Sequence, residues 1–317
     1  ITACLTASVL VLGGSLFAFY RSAAPTFDAA LDTGNQGVVF DPNAALAGGS
    51  VTPTAAPTVA PTVPGTDATQ ATDPARSTTT AAAVVPPVSA AALPRHLVIV
   101  GDSMAHSLAK NLPAGISGTF DIADGSVEGC SVYDSGKAVS SRNNYTRSFS
   151  GCAGWDAKWT RGAQKNGAQV ALVVLGAWDV FDVTVDGRAL PFGSAGNDQR
   201  FTAGLQKGID ALTAVGTKVA LLEVACMRPQ DVKGAGVPAL PERGMDDHVA
   251  HLNDLLRQAA AANPATTTFV HGPQQYCTDP AIANDLAYRW DGVHPFRPGA
   301  KLTFEAIAEQ LLNIPVG

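Results

Sequence analysis

The sequence predicts an α/β protein: a three-layer α/β/α sandwich with a mainly parallel sheet, preceded by a transmembrane helix and a disordered linker. Three observations predict this arrangement. Residues 1–20 carry no charge, residues 22–94 are dominated towards their end by Thr, Ala and Pro, and from Arg95 onward apolar runs alternate with amphipathic helical patterns. Continuous apolar runs indicate strands buried on both faces, as in a parallel sheet covered by helices.

The first element, residues 1–21, is predicted to be a transmembrane helix. The stretch "ITACLTASVLVLGGSLFAFY" is uncharged and is followed by Arg21. About 20 such residues span the hydrocarbon core of a bilayer. A signal peptide is the alternative, although it would normally begin with basic residues. Because the chain does not begin with Met, we expect it to be the end of a longer membrane protein.

The second element, residues 22–94, is predicted to be a disordered linker. Segments such as "TPTAAPTVAPTVPG" contain little besides Thr, Ala, Pro and Val. A segment of this composition cannot bury enough apolar surface to offset its conformational entropy, and Pro keeps it extended. We therefore expect a stalk with no catalytic role.

The third element, residues 95–317, is predicted to be the folded domain. Apolar runs predict strands at 96–100, 120–124, 169–175, 218–224 and 267–271. Helical patterns follow Gly101, run from Phe201 to Leu212, surround Leu255, and run from Pro298 to Leu312. In such sheets, functional groups gather at the carboxyl ends of the strands.

Composition excludes some functions of this domain. The net charge is −6 and the chain has no basic block, so we expect no nucleic-acid partner. No pair of cysteines has the Cys-x-x-Cys spacing of a zinc site. His248 and His251 lie three residues apart on a predicted helix, but a partly exposed amphipathic helix is the preferred interpretation. We expect neither a metal nor an organic cofactor.

Two short segments carry residues suited to nucleophilic catalysis. Ser103 follows the first strand in "GDS", where a helix cap is the alternative role, and "WDGVHP" places Asp291 three residues before His294. A serine hydroxyl needs a base to accept its proton, and a carboxylate orients that base. Gly292 permits the tight turn that lets the carboxylate reach the imidazole. His106, one turn beyond the serine, is a weaker candidate for the base.

These segments resemble the first and last sequence blocks of the SGNH (GDSL-type) hydrolases. The resemblance implies that Ser103 is the nucleophile, His294 the general base and Asp291 its orienting acid. It also implies that the N–H groups of Ser103 and Gly129, the latter in "VEGCSV", form the oxyanion hole.

The third block departs from the family pattern. The family usually has Gly-x-Asn-Asp there, whereas this chain has "GAWD", so Trp178 stands at the Asn position and Asp179 follows it. Loss of one oxyanion donor typically lowers the rate by 10²–10³. A non-catalytic glycan-binding module therefore stays open as an alternative function.

The five cysteines divide into Cys4, in the apolar helix, and four in the folded domain. Four cysteines allow three pairings. We expect Cys130–Cys152 and Cys226–Cys277, because each pair would close a segment near the proposed site, and disulfides are permitted outside the cytoplasm. Free buried thiols are the alternative.

The Gly-x-Trp-Asp variant, the cysteines, the linker and the membrane helix together resemble the SGNH domain fused behind the membrane domain of acyltransferase-three-type O-acyltransferases. This resemblance implies a membrane-anchored, extracytoplasmic domain that transfers an acyl (acetyl) group to a cell-surface glycan through an acyl-Ser103 intermediate. The implied partners are an acyl donor, a carbohydrate or other alcohol acceptor, and an upstream membrane acyltransferase domain. An esterase that uses water as acceptor is an alternative. We expect Asp102, Trp178, Asp179 and Trp290 to line the substrate cleft.

Overall fold

The computed structural model describes residues 94–317. The predicted transmembrane helix at residues 1–21 lies outside the described residues, as does the predicted linker of residues 22–94 apart from Pro94. Within residues 94–317, no helix combines the length and the apolar character needed to cross a bilayer.

The described chain contains two sheets. In chain order the strands are β1 (Arg95–Gly101), β2 (Phe120–Asp124), β3 (Lys137–Val139), β4 (Thr146–Ser148), β5 (Val170–Val174), β6 (Asp182–Val185), β7 (Arg188–Leu190), β8 (Lys218–Leu222) and β9 (Thr267–Val270). The main sheet has the order β2-β1-β5-β8-β9 and is parallel throughout. All five predicted strands are therefore present, and they form the predicted parallel sheet.

Helices cover this sheet. They are α1 (Ser103–Lys110), α2 (Trp155–Lys165), α3 (Ala195–Thr213), α4 (Asp246–Ala262), α5 (Gln275–Thr278), α6 (Pro280–Ala283) and α7 (Arg297–Leu312). Helices α2, α3 and α4 contact one another in series. Phe304 of α7 packs on Phe120 of β2, with 6.2 Å between ring centroids. Every residue of β5 is buried, which explains its uninterrupted run of Val, Ala and Leu.

The second sheet is antiparallel, with the order β4-β3-β6-β7. The sequence did not predict it, because its strands have three or four residues and are partly exposed, so they show no apolar run. Helix α2 was also not predicted. Its Trp155 and Trp159 belong to the core, where their rings meet edge to face with centroids 4.6 Å apart.

Two disulfides cross-link the described residues. One joins Cys130 to Cys152 and the other joins Cys226 to Cys277, which are the expected pairs. The first holds the loop that follows β2 to the segment just before α2. The second holds the loop after β8 to helix α5. Both therefore restrain connections at the edge of the main sheet where β1, β5 and β8 end.

Candidate active site

Ser103 stands where β1 ends and α1 begins. Gly101 makes the turn with φ of 138°, and a Cβ atom there would lie 1.8 Å from the carbonyl oxygen of Val174 in β5. No side chain fits, so glycine is required. Asp102 caps the helix by accepting a hydrogen bond from the Met104 N–H at 2.7 Å. The cap role therefore falls to Asp102, and the hydroxyl of Ser103 stays available at the carboxyl edge of the sheet.

Asp291 and His294 share one closed turn before α7. The N–H of Trp290 donates to the carbonyl oxygen of His294 at 3.1 Å. Gly292 has φ of 78°, and a Cβ there would lie 1.7 Å from the carbonyl oxygen of Arg228, so this position also requires glycine. One carboxylate oxygen of Asp291 accepts the N–H groups of Val293 and His294 at 2.9 and 2.8 Å. This leaves the other carboxylate oxygen for the imidazole.

The turn brings the three side chains into one hydrogen-bonded relay. Asp291 Oδ2 lies 2.8 Å from His294 Nδ1, and His294 Nε2 lies 2.8 Å from Ser103 Oγ. A carboxylate only accepts, so Nδ1 carries the proton and, in the neutral imidazole, Nε2 accepts from the serine hydroxyl. Burial raises the pKa of Asp291, but the charge of His294 and its hydrogen bonds outweigh burial and lower that pKa overall. The acid therefore stays ionised beside the imidazole.

His106 has a different set of contacts. Its Nδ1 lies 3.0 Å from Asp124 Oδ2, and its Nε2 lies 3.7 Å from the carboxylate of Glu128. The hydrogen bond to Asp124 raises its pKa, with burial opposing and Glu128 adding to the increase. These contacts join His106 to Asp124 and Glu128, whereas His294 bonds to Ser103.

Ser103 and Gly129 both line the cleft and are the residues considered for an oxyanion hole. Ser103 is the first residue of α1, so its N–H is one of those that a helix leaves without an internal acceptor. Gly129 has φ of 69° and lines the same cleft. The hydrogen bonds described for residues 94–317 give the Gly129 amide no acceptor. Backbone N–H groups without an acceptor are the kind of donor that an oxyanion hole uses.

Trp178 does not supply a third donor. It lines the cleft, but its Nε1 atom is enclosed and has no hydrogen-bond partner among the described residues. An enclosed N–H cannot reach an oxygen in the cleft. The ring contributes its surface instead: Phe181 packs against it at 5.7 Å, and the guanidinium of Arg243 lies over it at 4.4 Å.

Asp102 and Asp179 do not line the cleft, which corrects the expectation from the sequence. Both are buried beneath it. Asp102 accepts the Ala177 N–H at 3.2 Å, and Asp179 accepts the Gly176 N–H at 2.9 Å and the Ser131 hydroxyl. Both carboxylates therefore hold the loop after β5 and do not face substrate.

Burial also changes the ionisation of these two acids. It raises the pKa of Asp102 to about 6, with the backbone hydrogen bond from Met104 opposing the increase. It raises the pKa of Asp179 to about 7, and the nearby charge of Asp102 adds to that increase. Two buried carboxylates that repel each other hold their protons more tightly than exposed ones.

The cleft over Ser103 has a volume of about 610 Å³ and opens to solvent. Trp290 lies along one wall and stacks on the imidazole of His294, with ring centroids 5.3 Å apart. The lining residues are Ser103, Glu128, Gly129, Arg147, Trp178, Ala235, Val237, Arg243, Trp290, Asp291 and His294. Sequence reasoning missed the three charged members outside the relay. They come from a loop, a short edge strand and a short 3-10 turn, none of which carries a periodic pattern or a catalytic motif.

Residues 94–317 contain no group of three or more His, Cys, Asp or Glu side chains arranged to hold a metal ion. The two histidines of α4 have other partners. His248 Nδ1 lies 2.8 Å from the Val180 carbonyl oxygen, and His251 Nε2 lies 2.8 Å from Asp198. Phe192 stacks on His248 with ring centroids 4.0 Å apart. These histidines therefore join α4 to its neighbours.

The fold and this site define an α/β domain of the serine-histidine-aspartate type, with all three residues at the carboxyl edge of a parallel sheet. A family model described as "SGNH domain (fused to AT3 domains)" matches residues 71–309, well over half of the chain. The chain therefore belongs to this family of SGNH hydrolase domains. No curated protein sequence is significantly similar to the chain.

Several solved structures are similar to this chain at low sequence identity. A GDSL-like lipase from Bacteroides thetaiotaomicron is 16% identical with a TM-score of 0.42, covering 70% of this chain and 91% of its own. The acetyl xylan esterase AlAXEase is 14% identical with a TM-score of 0.42, covering 69% and 100%. The psychrotrophic esterase EstA from Pseudoalteromonas is 13% identical with a TM-score of 0.40, covering 69% and 99%.

Proposed function

We propose that this domain performs serine-dependent acyl-ester chemistry, transferring an acyl group, such as acetyl, to a hydroxyl of a cell-surface glycan. The single observation that carries the proposal is the relay from Asp291 through His294 to the Ser103 hydroxyl, with both hydrogen bonds at 2.8 Å. A relay of this kind raises the nucleophilicity of a serine that would otherwise be unreactive.

The first half of the reaction forms an acyl-serine. Ser103 Oγ bonds to the carbonyl carbon of the donor while its proton moves to His294 Nε2. The resulting oxyanion accepts hydrogen bonds from the N–H groups of Ser103 and Gly129. The ester C–O bond then breaks, and the imidazolium returns its proton to the departing alkoxide. Asp291 stabilises the imidazolium and is not itself protonated.

The second half repeats these steps with an acceptor. His294 removes the proton of an incoming hydroxyl, whose oxygen bonds to the acyl carbon, and Ser103 leaves with that proton. A glycan hydroxyl as acceptor makes the domain a transferase, and water makes it an esterase. The match to a family described as fused to AT3 domains supports transfer.

The same match supports our proposals for the surroundings of the domain. We infer a membrane-anchored domain outside the cytoplasm, preceded by a membrane acyltransferase domain, with boundaries at residues 1–21, 22–94 and 95–317. The two disulfides agree with an oxidising compartment. The acyl donor and the glycan acceptor are the proposed partners.

Labelling of Ser103 tests the proposal directly. We expect the full chain, purified in mild detergent, to react with a fluorophosphonate probe and to release chromophore from a chromogenic acetyl ester. The Ser103→Ala variant should do neither. Adding a glycan acceptor should divert the acetyl group from acetate to glycan if the domain is a transferase, and mass spectrometry of the products separates transfer from hydrolysis.

A glycan-binding module without catalysis is a second candidate, and the enclosed Nε1 of Trp178 favours it, since the third oxyanion donor is missing. Glycan binding by a wild-type chain that neither labels nor turns over ester would establish this candidate and overturn the catalytic proposal.

A further inference from the structure

Two arginines line the cleft that holds the nucleophile, and they come from distant parts of the chain. Arg147 lies in β4 of the antiparallel sheet, and Arg243 lies in the 3-10 turn Pro241–Gly244 that precedes α4. The proposed acyl-transfer steps use neither of them.

Each arginine donates a hydrogen bond from its Nε atom to a backbone carbonyl oxygen near the cleft. Arg147 Nε donates to the carbonyl oxygen of Gly129 at 3.1 Å, and its guanidinium packs so closely that a Cβ on this glycine would lie 1.9 Å from a terminal nitrogen. Arg243 Nε donates to the carbonyl oxygen of Ala177 at 2.7 Å, with its guanidinium over Trp178. The hydrogen bonds described for residues 94–317 give no acceptor to the terminal nitrogens of either arginine.

Neither guanidinium is neutralised by an ion pair. No carboxylate of the described chain lies within the 4.0 Å that defines such a pair with Arg147 or Arg243. Arg243 is only 3% exposed, and burial lowers its pKa, while the charges of Asp291 and Asp102 act against that decrease. A buried cation without a direct partner is costly unless something else supplies the opposite charge.

The nearby acids are engaged elsewhere. Asp291 binds His294 and two backbone N–H groups. Asp102 binds the N–H groups of Met104 and Ala177. These carboxylates are therefore not free to turn toward the guanidinium groups.

Glu128 is the remaining acid that lines the cleft. Its carboxylate is about half exposed and lies 3.7 Å from the imidazole of His106. The cleft that holds Ser103 is thus also lined by two guanidinium groups that make no direct ion pair within residues 94–317.

From this arrangement we propose that the substrate carries a carboxylate, which Arg147 and Arg243 bind beside the reacting carbonyl. Guanidinium groups bind carboxylates through paired N–H donors. Both guanidinium groups lie near the ring of Trp178, at 5.9 Å for Arg147 and 4.4 Å for Arg243, so one bound anion can meet both. This inference rests on the proposed acyl-ester chemistry and names its substrate class. The carboxylate belongs either to the transferred acyl group or to an acidic sugar acceptor, and both sources present the same anion.

Matched ester pairs test the acyl source. Glutaryl p-nitrophenyl ester and p-nitrophenyl valerate differ by a carboxylate in place of a methyl group. We expect kcat/KM for the glutaryl ester to be higher by about tenfold, the factor typical of one charge-assisted hydrogen bond. Rates measured with the Ser103→Ala variant are subtracted as the uncatalysed background.

Matched acceptors test the other source. Glucuronate and glucose are offered in turn to the acetylated enzyme. If the bound carboxylate belongs to the acceptor, acetyl transfer to glucuronate should be faster than transfer to glucose by about tenfold. Arg147→Gln should bring whichever preference is found close to one, because it removes a charge that the carboxylate would meet. Arg161→Gln, which removes an exposed arginine of α2 outside the cleft, is the control and should change neither rate.

A second variant keeps the test sound if Arg147→Gln misfolds. Glu128→Gln removes the carboxylate that lines the cleft outside the relay and should raise the preference for the anionic partner by about twofold. Equal rates for anionic and neutral partners in both arms would overturn the inference while leaving acyl-ester chemistry intact. An equal loss for both partners in Arg147→Gln would also overturn it, since that loss indicates oxyanion stabilisation.

Binding separates this inference from the proposed chemistry. Calorimetry with the Ser103→Ala variant, titrated with monomethyl glutarate and with glucuronate, needs no turnover. We expect at least one of these anions to bind, and to bind more weakly at high salt. In the double variant that also carries Arg147→Gln, the affinity for that anion should be about tenfold lower. Absence of both binding and a turnover preference would reject the carboxylate, whereas binding without any turnover would reject only the chemistry.

Discussion

At the scale of single residues, the chemistry depends on which partner each polar atom already has. His294 reaches Ser103 because Asp291 uses one carboxylate oxygen on the backbone of the turn and the other on the imidazole. The same carboxylate therefore builds the loop and orients the base. By contrast, Asp102, next to the nucleophile in sequence, is fully occupied by backbone N–H groups and serves the fold.

The prediction at this scale concerns Asp291→Asn. The carboxamide can still accept from the backbone, but its NH₂ group facing Nδ1 would place the imidazole proton on Nε2, which can then no longer accept from Ser103. We expect kcat for a chromogenic acetyl ester to fall by about 10³–10⁴ with little change in KM. Stopped-assay kinetics measure this, and a loss of less than tenfold would contradict the assigned role.

At the scale of elements, the site forms where the loops that follow β1, β2 and β5 contact one another. The loop after β5 turns through Gly176, whose N–H binds Asp179, while the next N–H, of Ala177, binds Asp102 after β1. Ser131, in the loop after β2, donates to Asp179 as well. Three loops are thus joined by two buried carboxylates, and the cleft wall that carries Trp178 depends on them.

Stability should respond to pH through Asp179. Its pKa is about 7 in the folded protein against an ordinary value of 3.8, so the folded state holds a proton that the unfolded state has lost. The free energy of unfolding therefore falls as pH rises from about 4 to 7. In Asp179→Asn this part of the decline should disappear. The stability of the variant relative to wild type should therefore be greater at pH 8 than at pH 4.5, by about 3 kcal/mol. Urea unfolding at both pH values measures the difference, and identical pH dependence would contradict the assignment.

At the scale of the whole molecule, two covalent links restrain the loops around the sheet edge. The Cys130–Cys152 bond closes 22 residues and begins next to Gly129, whereas Cys226–Cys277 closes 51 residues on the other side. Closing a loop of this size restricts the unfolded chain and stabilises the fold by about 3–4 kcal/mol.

Removing each disulfide separately should distinguish its effect on the melting temperature from its effect on kcat. Replacing Cys130 and Cys152 by serine should lower the melting temperature and also lower kcat, because Gly129, the proposed oxyanion donor, loses its anchor. Replacing Cys226 and Cys277 by serine is the matched control and should lower the melting temperature with a smaller effect on kcat. Calorimetry measures the melting temperatures, and ester kinetics at 15 °C, where both variants stay folded, measure kcat. A greater loss of kcat in the Cys226/Cys277 variant would contradict the link between Cys130–Cys152 and activity.

Much of this protein was determined by local sequence. Apolar runs placed the central strands β1, β5 and β8, because a strand buried on both faces tolerates almost nothing else. The edge strands β2 and β9 are partly exposed, and shorter apolar segments predicted them. The candidate relay was also readable, since Gly101 and Gly292 mark turns that admit no side chain and the reactive residues adjoin them. The antiparallel sheet was not predicted, because its strands are short and partly exposed and so show no periodic apolar pattern.

Tertiary structure alone decided which way the other polar groups face. Asp102 and Asp179 each follow a strand, as cleft residues do, but the neighbouring loops bury them. Arg147 and Arg243 carry no local signal, yet the fold brings both to the cleft that holds Ser103. Burial and charge pairing depend on contacts between residues far apart in the chain. A pattern read over a few neighbouring positions cannot contain that information.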